Sequence, residues 1–309
     1  MILSVSRRTD IPRYYMNWFL SRLEDGYVLV RNPMNHSQVS RVELNSDTID
    51  CIGFWTKDPS PMLNHLDELK TYNYFIQFTL NPYGNEIETE LPPLSDRIET
   101  FKSLAQKIGK EKMIWRYSPI ILSENYTLNW HIKKFESIAS SLSESTEICR
   151  ISFLDIYKKI EEKMHKMKLR DSTDEEKRIL TKAFVKIGAD YGISIGGCGN
   201  LDLDDVGLEK AGCIDASYVS KIIGSNIKKT KDTGQRSDCY CMPSIDIGTY
   251  NTCLNGCQYC YANFSKKSIQ EKFKLFDPSS PLLCDEIRPT DKITERKLIS
   301  YADPQLSMF

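Results

Sequence analysis

The sequence lacks several features that would assign it to common classes of protein. It contains no stretch of about 18 apolar residues, which excludes a membrane-spanning helix. The N-terminal segment becomes polar after a short apolar start. It lacks the basic stretch followed by an apolar run that a signal peptide has, so we expect a cytoplasmic protein. The formal net charge of -1 gives no basic excess, so nucleic acid is not indicated as a partner.

Cysteine, by contrast, is abundant, with 10 residues in a chain of 309. A reducing cytoplasm disfavours a disulfide framework, so metal binding is the better interpretation of so many thiols. Seven of the cysteines lie between Cys198 and Cys260. This concentration predicts that the region 196–262 carries the chemistry of the protein.

Short apolar runs alternate with helical patterns along the first half of the chain, which predicts an α/β fold with a parallel sheet, open or closed into a (β/α) barrel. We expect one domain over 1–309. Its parts are barrel strands and helices over 1–157 and 190–270, a charged helical insertion over 158–189, the cysteine-rich region and a wrapping tail over 271–309. The expected strands are Ile2–Ser6, Val28–Arg31, Cys51–Thr56, Tyr74–Leu80, Lys112–Tyr117, Ile148–Phe153, Ile193–Ile195 and Ile245–Tyr250. The expected helices are Arg13–Leu23, Pro59–Lys70, Leu94–Ile108 and Asn129–Ser141, with a further helix near Tyr261.

The last three clustered cysteines, Cys253, Cys257 and Cys260, have the spacing Cys-x3-Cys-x2-Cys directly after an expected strand. Four-iron clusters normally take four cysteines, so three thiolates would leave one iron open to another ligand. The alternative is structural zinc, which favours four ligands and paired Cys-x2-Cys elements. No histidine lies nearby to complete such a zinc site. The spacing therefore favours a [4Fe–4S] cluster.

This spacing resembles the signature of the radical S-adenosylmethionine superfamily, and the residues 248–262 around it resemble its spore photoproduct lyase-like branch. Earlier segments resemble strands that follow the cluster loop in that branch: 54–57, 75–80, 91–97 and 115–121. Because the cluster loop here comes last, the resemblance implies a circular permutation, which the close chain ends of a domain allow. The whole arrangement resembles a bacterial family described as domain of unknown function 1848.

The resemblance implies a mechanism. The cluster on the three cysteines would bind S-adenosylmethionine at its open iron and cleave it to a 5′-deoxyadenosyl radical that attacks a substrate. An electron donor such as a flavodoxin or ferredoxin would reduce the cluster. Tyr259 corresponds to the position that contacts the adenine, with simple packing as the alternative. The sequence assigns neither the substrate nor a catalytic residue.

The sequence departs from the superfamily pattern in one place. The expected second strand, Ile2–Ser6, carries no glycine-glycine-glutamate stretch to hold the methionine moiety. Ser6, Thr9 and Asp10 are the candidates to replace it. Arg116 lies within an apolar strand, where an unpaired charge is costly, so it is a candidate for holding a carboxylate. A salt bridge at the barrel rim is the alternative role for Arg116.

A second set of cysteines precedes the triplet, namely Cys198, Cys213, Cys239 and Cys241. Four thiolates can hold a second [4Fe–4S] cluster or a zinc ion. We expect an auxiliary cluster, with structural zinc or unligated thiols as alternatives. Three classes of function follow, of which a radical enzyme is our first expectation. The others are an iron–sulfur electron carrier or sensor, and a zinc-stabilised binding module.

Overall fold

The structure is a computed structural model that describes residues 1–197, 201, 203–236 and 239–303. The strands are β1 (Ile2–Val5), β2 (Tyr27–Arg31), β3 (Gln38–Glu43), β4 (Cys51–Thr56), β5 (Tyr74–Thr79), β6 (Met113–Ile120), β7 (Ile148–Phe153), β8 (Ser194–Gly197), β9 (Glu209–Lys210), β10 (Ile245–Asp246) and β11 (Lys292–Glu295). The helices are α1 (Ile11–Tyr14), α2 (Met16–Asp25), α3 (Leu94–Ile108), α4 (Leu128–Leu142), α5 (Lys158–Lys166), α6 (Asp174–Asp190), α7 (Ala216–Ile223) and α8 (Lys266–Phe273). Short 3-10 helices cover Ser60–Asn64, Asp67–Leu69, Lys110–Lys112 and Asp204–Val206.

Eight strands form one sheet in the order β10-β1-β4-β5-β6-β7-β8-β9, and every neighbouring pair is parallel. The expectation of an α/β fold with a parallel sheet is therefore confirmed. Within the described residues no ladder joins the edge strands β9 and β10, an arrangement consistent with a partial or full (β/α) barrel. The last strand of this sheet along the chain, β10, pairs with the first, β1.

Alternate residues of each strand point to opposite faces of the sheet, and the two faces differ in character. One face is apolar along its length, and side chains such as Phe54, Phe78 and Trp115 pack against α2, α3, α4 and α6 in the main core. The other face is apolar where the strands begin, where Phe75 packs against Tyr218 of α7. Polar side chains replace the apolar ones towards the carboxyl ends of these strands. Cys213 and Cys241 lie against this polar half of the sheet, beside Arg116.

A second, three-stranded sheet has the order β11-β3-β2. The expected strand Val28–Arg31 lies here rather than in the main sheet, because the following strand β3 folds back and pairs with it in antiparallel fashion. The tail contributes β11, which pairs in parallel with β3. Leu282, also from the tail, packs on this small sheet with Leu29 and Val39.

Most of the expected helices occur, and Leu94–Ile108 has the expected bounds. The segment Pro59–Lys70 differs, since it forms two 3-10 helices instead of one α-helix. The first of them ends at His65, whose φ of -127° lies outside the helical range and interrupts the segment. The helix expected near Tyr261 begins at Lys266, capped by the Ser265 side chain. No helix within the described ranges has both the length and the apolar character that a membrane crossing requires.

Candidate functional site

The loop that carries the cysteine triplet leaves the main sheet at the carboxyl end of β10. In the β10–β1 ladder Leu3 pairs with Ile245 and Ser4 pairs with Asp246. The strand expected to reach Tyr250 stops after two residues, and the chain then runs irregularly through the triplet. The carboxyl edge of a parallel sheet is where ligands usually bind, because loops there enclose a crevice. The triplet therefore begins at a favourable edge.

Asp246 anchors the start of this loop to β1. Its carboxylate accepts hydrogen bonds from Ser4 Oγ at 2.9 Å, Ser6 Oγ at 2.6 Å and the backbone N–H groups of Arg7 and Gly248. A Cβ atom on Gly248 would lie 1.9 Å from Ser6 Oγ, so this approach requires glycine. The buried hydroxyl of Ser6, a candidate to hold the methionine moiety, is thus engaged with Asp246.

Asp10, another candidate for that role, joins three segments at the base of the triplet loop. Its carboxylate caps α1 by accepting from the Arg13 N–H at 3.2 Å. It also accepts from the Lys57 N–H and from Asn255 Nδ2, both at 2.8 Å. Burial raises the pKa of Asp10, although these hydrogen bonds oppose the shift. The residue positions the loop between α1 and the end of β4.

The far side of the triplet loop is fixed by a short antiparallel bridge between Cys257 and Glu88. The Gln258 N–H donates to the Ile87 carbonyl at 2.9 Å beside this bridge. Gly256 turns the chain into the bridge with a φ of +67°, a conformation that glycine adopts without steric cost. The sequence between the first two cysteines is therefore a turn that presents Cys257 next to the segment 87–90.

Two sulfurs of the triplet accept hydrogen bonds from backbone N–H groups. The donors are Asp10 and Asn255 for Cys253, and Ala262 and Asn263 for Cys260. Such contacts stabilise a thiolate over a thiol, and hydrogen bonds to ligand sulfurs are one means by which proteins tune iron–sulfur clusters. Cys253 is buried, and Cys257 and Cys260 are partly buried. The backbone of the loop is thus arranged around sulfur acceptors.

Burial raises the pKa of all three thiols, that of Cys253 to about 12, and nearby cysteine charges raise the pKa of Cys253 and Cys257 further. The Lys57 ammonium opposes this shift at Cys257 and Cys260, and Lys163 also does so at Cys260. Among the described residues, no group of three or more His, Cys, Asp or Glu side chains is already arranged to hold a metal ion. Metal ligation here would release protons, because the ligands must be thiolates.

Tyr259 takes part in a buried polar cluster beside the triplet. Its hydroxyl accepts from Lys57 Nζ at 2.8 Å and donates to the Glu88 carboxylate, which also pairs with Lys57 at 2.7 Å. Asn81 Nδ2 donates to the same carboxylate at 3.1 Å, and the Arg97 guanidinium lies 3.5 Å from its second oxygen. Burial alone would raise the pKa of Glu88, but Lys57 and Arg97 outweigh it and hold that pKa below its usual value.

Sequence reasoning missed Glu88, because it lies in a loop and belongs to no motif. The one indication in the sequence was its position in 81–93. This segment connects β5 to α3, and the alternation of strands and helices predicts neither a strand nor a helix for it. Tyr259 was expected either to contact an adenine or to pack. Its ring is buried and packs 6.4 Å from the ring of Tyr83, in a small apolar cluster separate from the main core.

Three members of the second cysteine set lie together on the polar half of the main sheet, and the fourth, Cys198, lies outside the described residues. Cys241 forms side-chain hydrogen bonds with both Cys213 and Cys239, and its sulfur accepts from the Cys213 N–H at 3.2 Å. The hydrogen bond from Cys241 lowers the pKa of Cys239. The hydrogen bonds with Cys213 and Cys239 raise the pKa of Cys241 itself. The three sulfurs are therefore close neighbours in space, although 28 positions separate Cys213 from Cys241 along the chain.

Arg116 lies beside this second set. Its guanidinium donates to Cys213 Sγ at 3.1 Å and to Gln77 Oε1 at 2.7 Å. Arg150 is its register partner on β7, so both guanidinium groups belong to the same face of the sheet. The charge of Arg7 also faces Cys213. The Arg7 carbonyl accepts from the hydroxyl of Tyr261, the residue after the triplet. Arg7 thus lies between the two cysteine sets.

Comparison with family models finds a match to a model described as domain of unknown function 1848, over residues 2–262. The matched region contains the whole eight-stranded sheet and both cysteine sets, and it ends before α8. No curated protein and no solved structure matches the chain.

Proposed function

The chain belongs to the domain of unknown function 1848 family, and we propose that it is a radical S-adenosylmethionine enzyme with a [4Fe–4S] cluster on Cys253, Cys257 and Cys260. The observation that carries the proposal is the parallel pairing of β10 with β1. In the superfamily that the triplet resembles, the cluster loop follows the first strand of the sheet. Here β10 takes that position in space although it comes late in the chain, which supports a permuted fold of the same kind.

The residues present fit such a cluster. The donors are three soft thiolates, which favour iron–sulfur clusters and zinc over harder metals. Backbone N–H groups already point at Cys253 and Cys260, and the Lys57 ammonium offsets negative charge at Cys257 and Cys260. Three cysteines leave one iron of a four-iron cluster without a protein ligand, where S-adenosylmethionine would bind.

When bound and reduced, the cluster would supply one electron to break a carbon–sulfur bond of S-adenosylmethionine and so generate a 5′-deoxyadenosyl radical. The protein's own contribution is to position the cofactor and the substrate and to exclude water. Lys57, Glu88 and Tyr259 form a buried polar wall beside Cys257. Ser6 and Asp10 lie at the same edge, but their side-chain oxygens already bind Asp246 and Asn255. A methionine moiety bound there would have to replace those hydrogen bonds with hydrogen bonds of its own to Ser6 and Asp10.

For the second set we propose an auxiliary [4Fe–4S] cluster on Cys213, Cys239 and Cys241, with Cys198 as the fourth ligand. The support is the contact of Cys241 with both Cys213 and Cys239, and the Arg116 guanidinium beside Cys213, which would stabilise thiolates. Structural zinc is the alternative, since it takes the same ligands. A flavodoxin or ferredoxin would be the electron donor, and the substrate stays unassigned.

The test is metal analysis of anaerobically purified and reconstituted full-length protein. We expect about four iron atoms per chain on the triplet and about four more if the second set holds a cluster. Cys257→Ala should lose the first group, and Cys239→Ala the second. Cys51→Ala is the matched control, because this buried cysteine belongs to neither set and should leave the iron content unchanged.

Addition of S-adenosylmethionine to the reduced protein should change the electron paramagnetic resonance spectrum in wild type and in Cys239→Ala. An iron-loaded protein whose spectrum does not respond would instead support an electron carrier or sensor. A colourless protein with stoichiometric zinc on the triplet would support a zinc-stabilised module and overturn the proposal.

A further inference from the structure

A cavity of about 280 Å³ lies between the carboxyl ends of β1 and β10 and the three-stranded sheet. Among the described residues, its wall carries four arginines and a single carboxylate: Arg7, Arg8, Arg31, Arg296 and Asp246. No described cysteine lines it. A concave site with several guanidinium groups is a strong candidate for binding an anion, because each guanidinium presents several N–H donors in one plane.

The charges of these arginines are unevenly compensated. Arg31 is neutralised inside the protein by Asp285 at 2.7 Å and by Asp291. In the part of the chain that the structure describes, no carboxylate lies within ion-pairing distance of Arg8 or Arg296, whereas Arg31 has two such partners. The Nε atom of Arg7 is buried and has no hydrogen-bond partner among the described residues. The wall therefore holds positive charge that the protein does not neutralise itself.

Two of the guanidinium groups are held in place before any ligand arrives. Arg7 stacks 5.1 Å from the centre of the Trp55 ring and donates to Ser244 Oγ at 3.0 Å. Arg8 stacks 5.2 Å from the centre of the Tyr250 ring and donates to the Gly248 carbonyl. Fixed guanidinium groups lose less entropy on binding than free ones, which favours a specific site over a diffuse attraction.

From this geometry we propose that the cavity binds the phosphate group of a small molecule. Arg8 and Arg296 have no carboxylate within ion-pairing distance among the described residues, and two such guanidinium groups match a dianion better than a single carboxylate. Arginine also forms paired hydrogen bonds with phosphate oxygens. The volume suits a phosphate with a small organic part, since sites for larger ligands usually exceed about 300 Å³. The proposal does not depend on a cluster, because no cysteine in the described part of the chain lines the cavity.

Titration calorimetry of the full-length protein with inorganic phosphate and with acetate, a single carboxylate, at low ionic strength, tests this inference. We expect saturable binding of phosphate and at least about tenfold weaker binding of acetate. Arg8→Gln and Arg296→Gln should each weaken phosphate binding about tenfold, by loss of one charge-assisted contact. Arg178→Gln is the matched control, because this exposed arginine on α6 pairs with Asp205 away from the cavity.

The inference fails if phosphate does not bind saturably, or if Arg178→Gln weakens binding as much as the two cavity variants do. Equal affinity for acetate and phosphate would also overturn the assignment to a phosphate group. Each of these outcomes is measured without iron or S-adenosylmethionine, so it is separate from the outcome for the proposed cluster.

Discussion

Lys57 and Tyr259 are joined by a hydrogen bond of 2.8 Å, and both contact the same carboxylate, that of Glu88. The three residues come from the end of β4, the loop after β5 and the cysteine triplet loop. Their contact therefore ties the triplet loop to two strands of the main sheet. Because Glu88 is buried, its charge is the compensating partner for Lys57 and for the nearby Arg97.

We expect Glu88→Gln to lower the free energy of unfolding by about 3 kcal/mol, because removing one partner leaves buried cations without compensation. Urea denaturation followed by circular dichroism measures this loss. Glu99→Gln is the control, since its pair with Lys102 on α3 is exposed and should change stability by no more than about 0.5 kcal/mol. Equal effects of the two substitutions would show that Glu88 carries no special charge compensation.

The pH dependence of stability should report His131, which is fully buried between Tyr117 and the Ile121 carbonyl. Burial lowers its pKa from 6.5 to about 4 in the folded state. Between these two pKa values the unfolded chain binds more protons than the folded chain. The stability that neutral His131 contributes is therefore present above about pH 6.5 and is lost as the pH falls towards about 4. The full loss amounts to about 3 kcal/mol.

The corresponding experiment compares urea denaturation of wild type and His131→Gln at several pH values from about 7 to about 5. The variant should lose less stability over this range, since it has no imidazole to protonate. Phe135→Leu, a buried apolar change on the same helix, should lower stability equally at every pH. A wild-type slope that matches the His131→Gln slope would contradict the assignment.

Much of the main sheet could be predicted from the sequence, because strands covered on both faces are apolar at successive positions. Cys51–Thr56 and Ile148–Phe153 have the expected bounds for this reason. The small sheet could not be predicted as a whole, since β3 has only two apolar residues, Val39 and Val42, without the alternation typical of a strand, and its partner β11 comes from the distant tail. Sequence patterns do not contain such long-range pairings.

The candidate site likewise has residues that the sequence suggested and residues that it did not. The spacing of the triplet is local, so the sequence alone suggested Cys253, Cys257 and Cys260. The place of Arg116 beside Cys213 depends on segments 97 positions apart, and no local pattern indicates it. The role of Glu88 likewise depends on four other parts of the chain.

Gly256 and Gly224 provide a matched test of the triplet loop. Both have positive φ, +67° and +66°, so alanine introduces a similar backbone strain of about 1 kcal/mol at either position. A Cβ atom at Gly256 would also lie 1.9 Å from Thr89 Oγ1, whereas at Gly224 it would meet no atom within 4 Å. Gly256→Ala should therefore lose more stability in urea denaturation and take up less iron on reconstitution. Equal losses would mean that the loop adjusts without cost.

The most direct measurement of the central claim is the release of 5′-deoxyadenosine. Anaerobically reconstituted protein is reduced with dithionite, mixed with S-adenosylmethionine and analysed by chromatography, in parallel with Cys257→Ala. The account predicts that wild type forms 5′-deoxyadenosine, while the variant forms none and keeps the circular dichroism spectrum of a folded protein. Formation of the product by Cys257→Ala, or its absence from an iron-loaded wild type, would contradict the account.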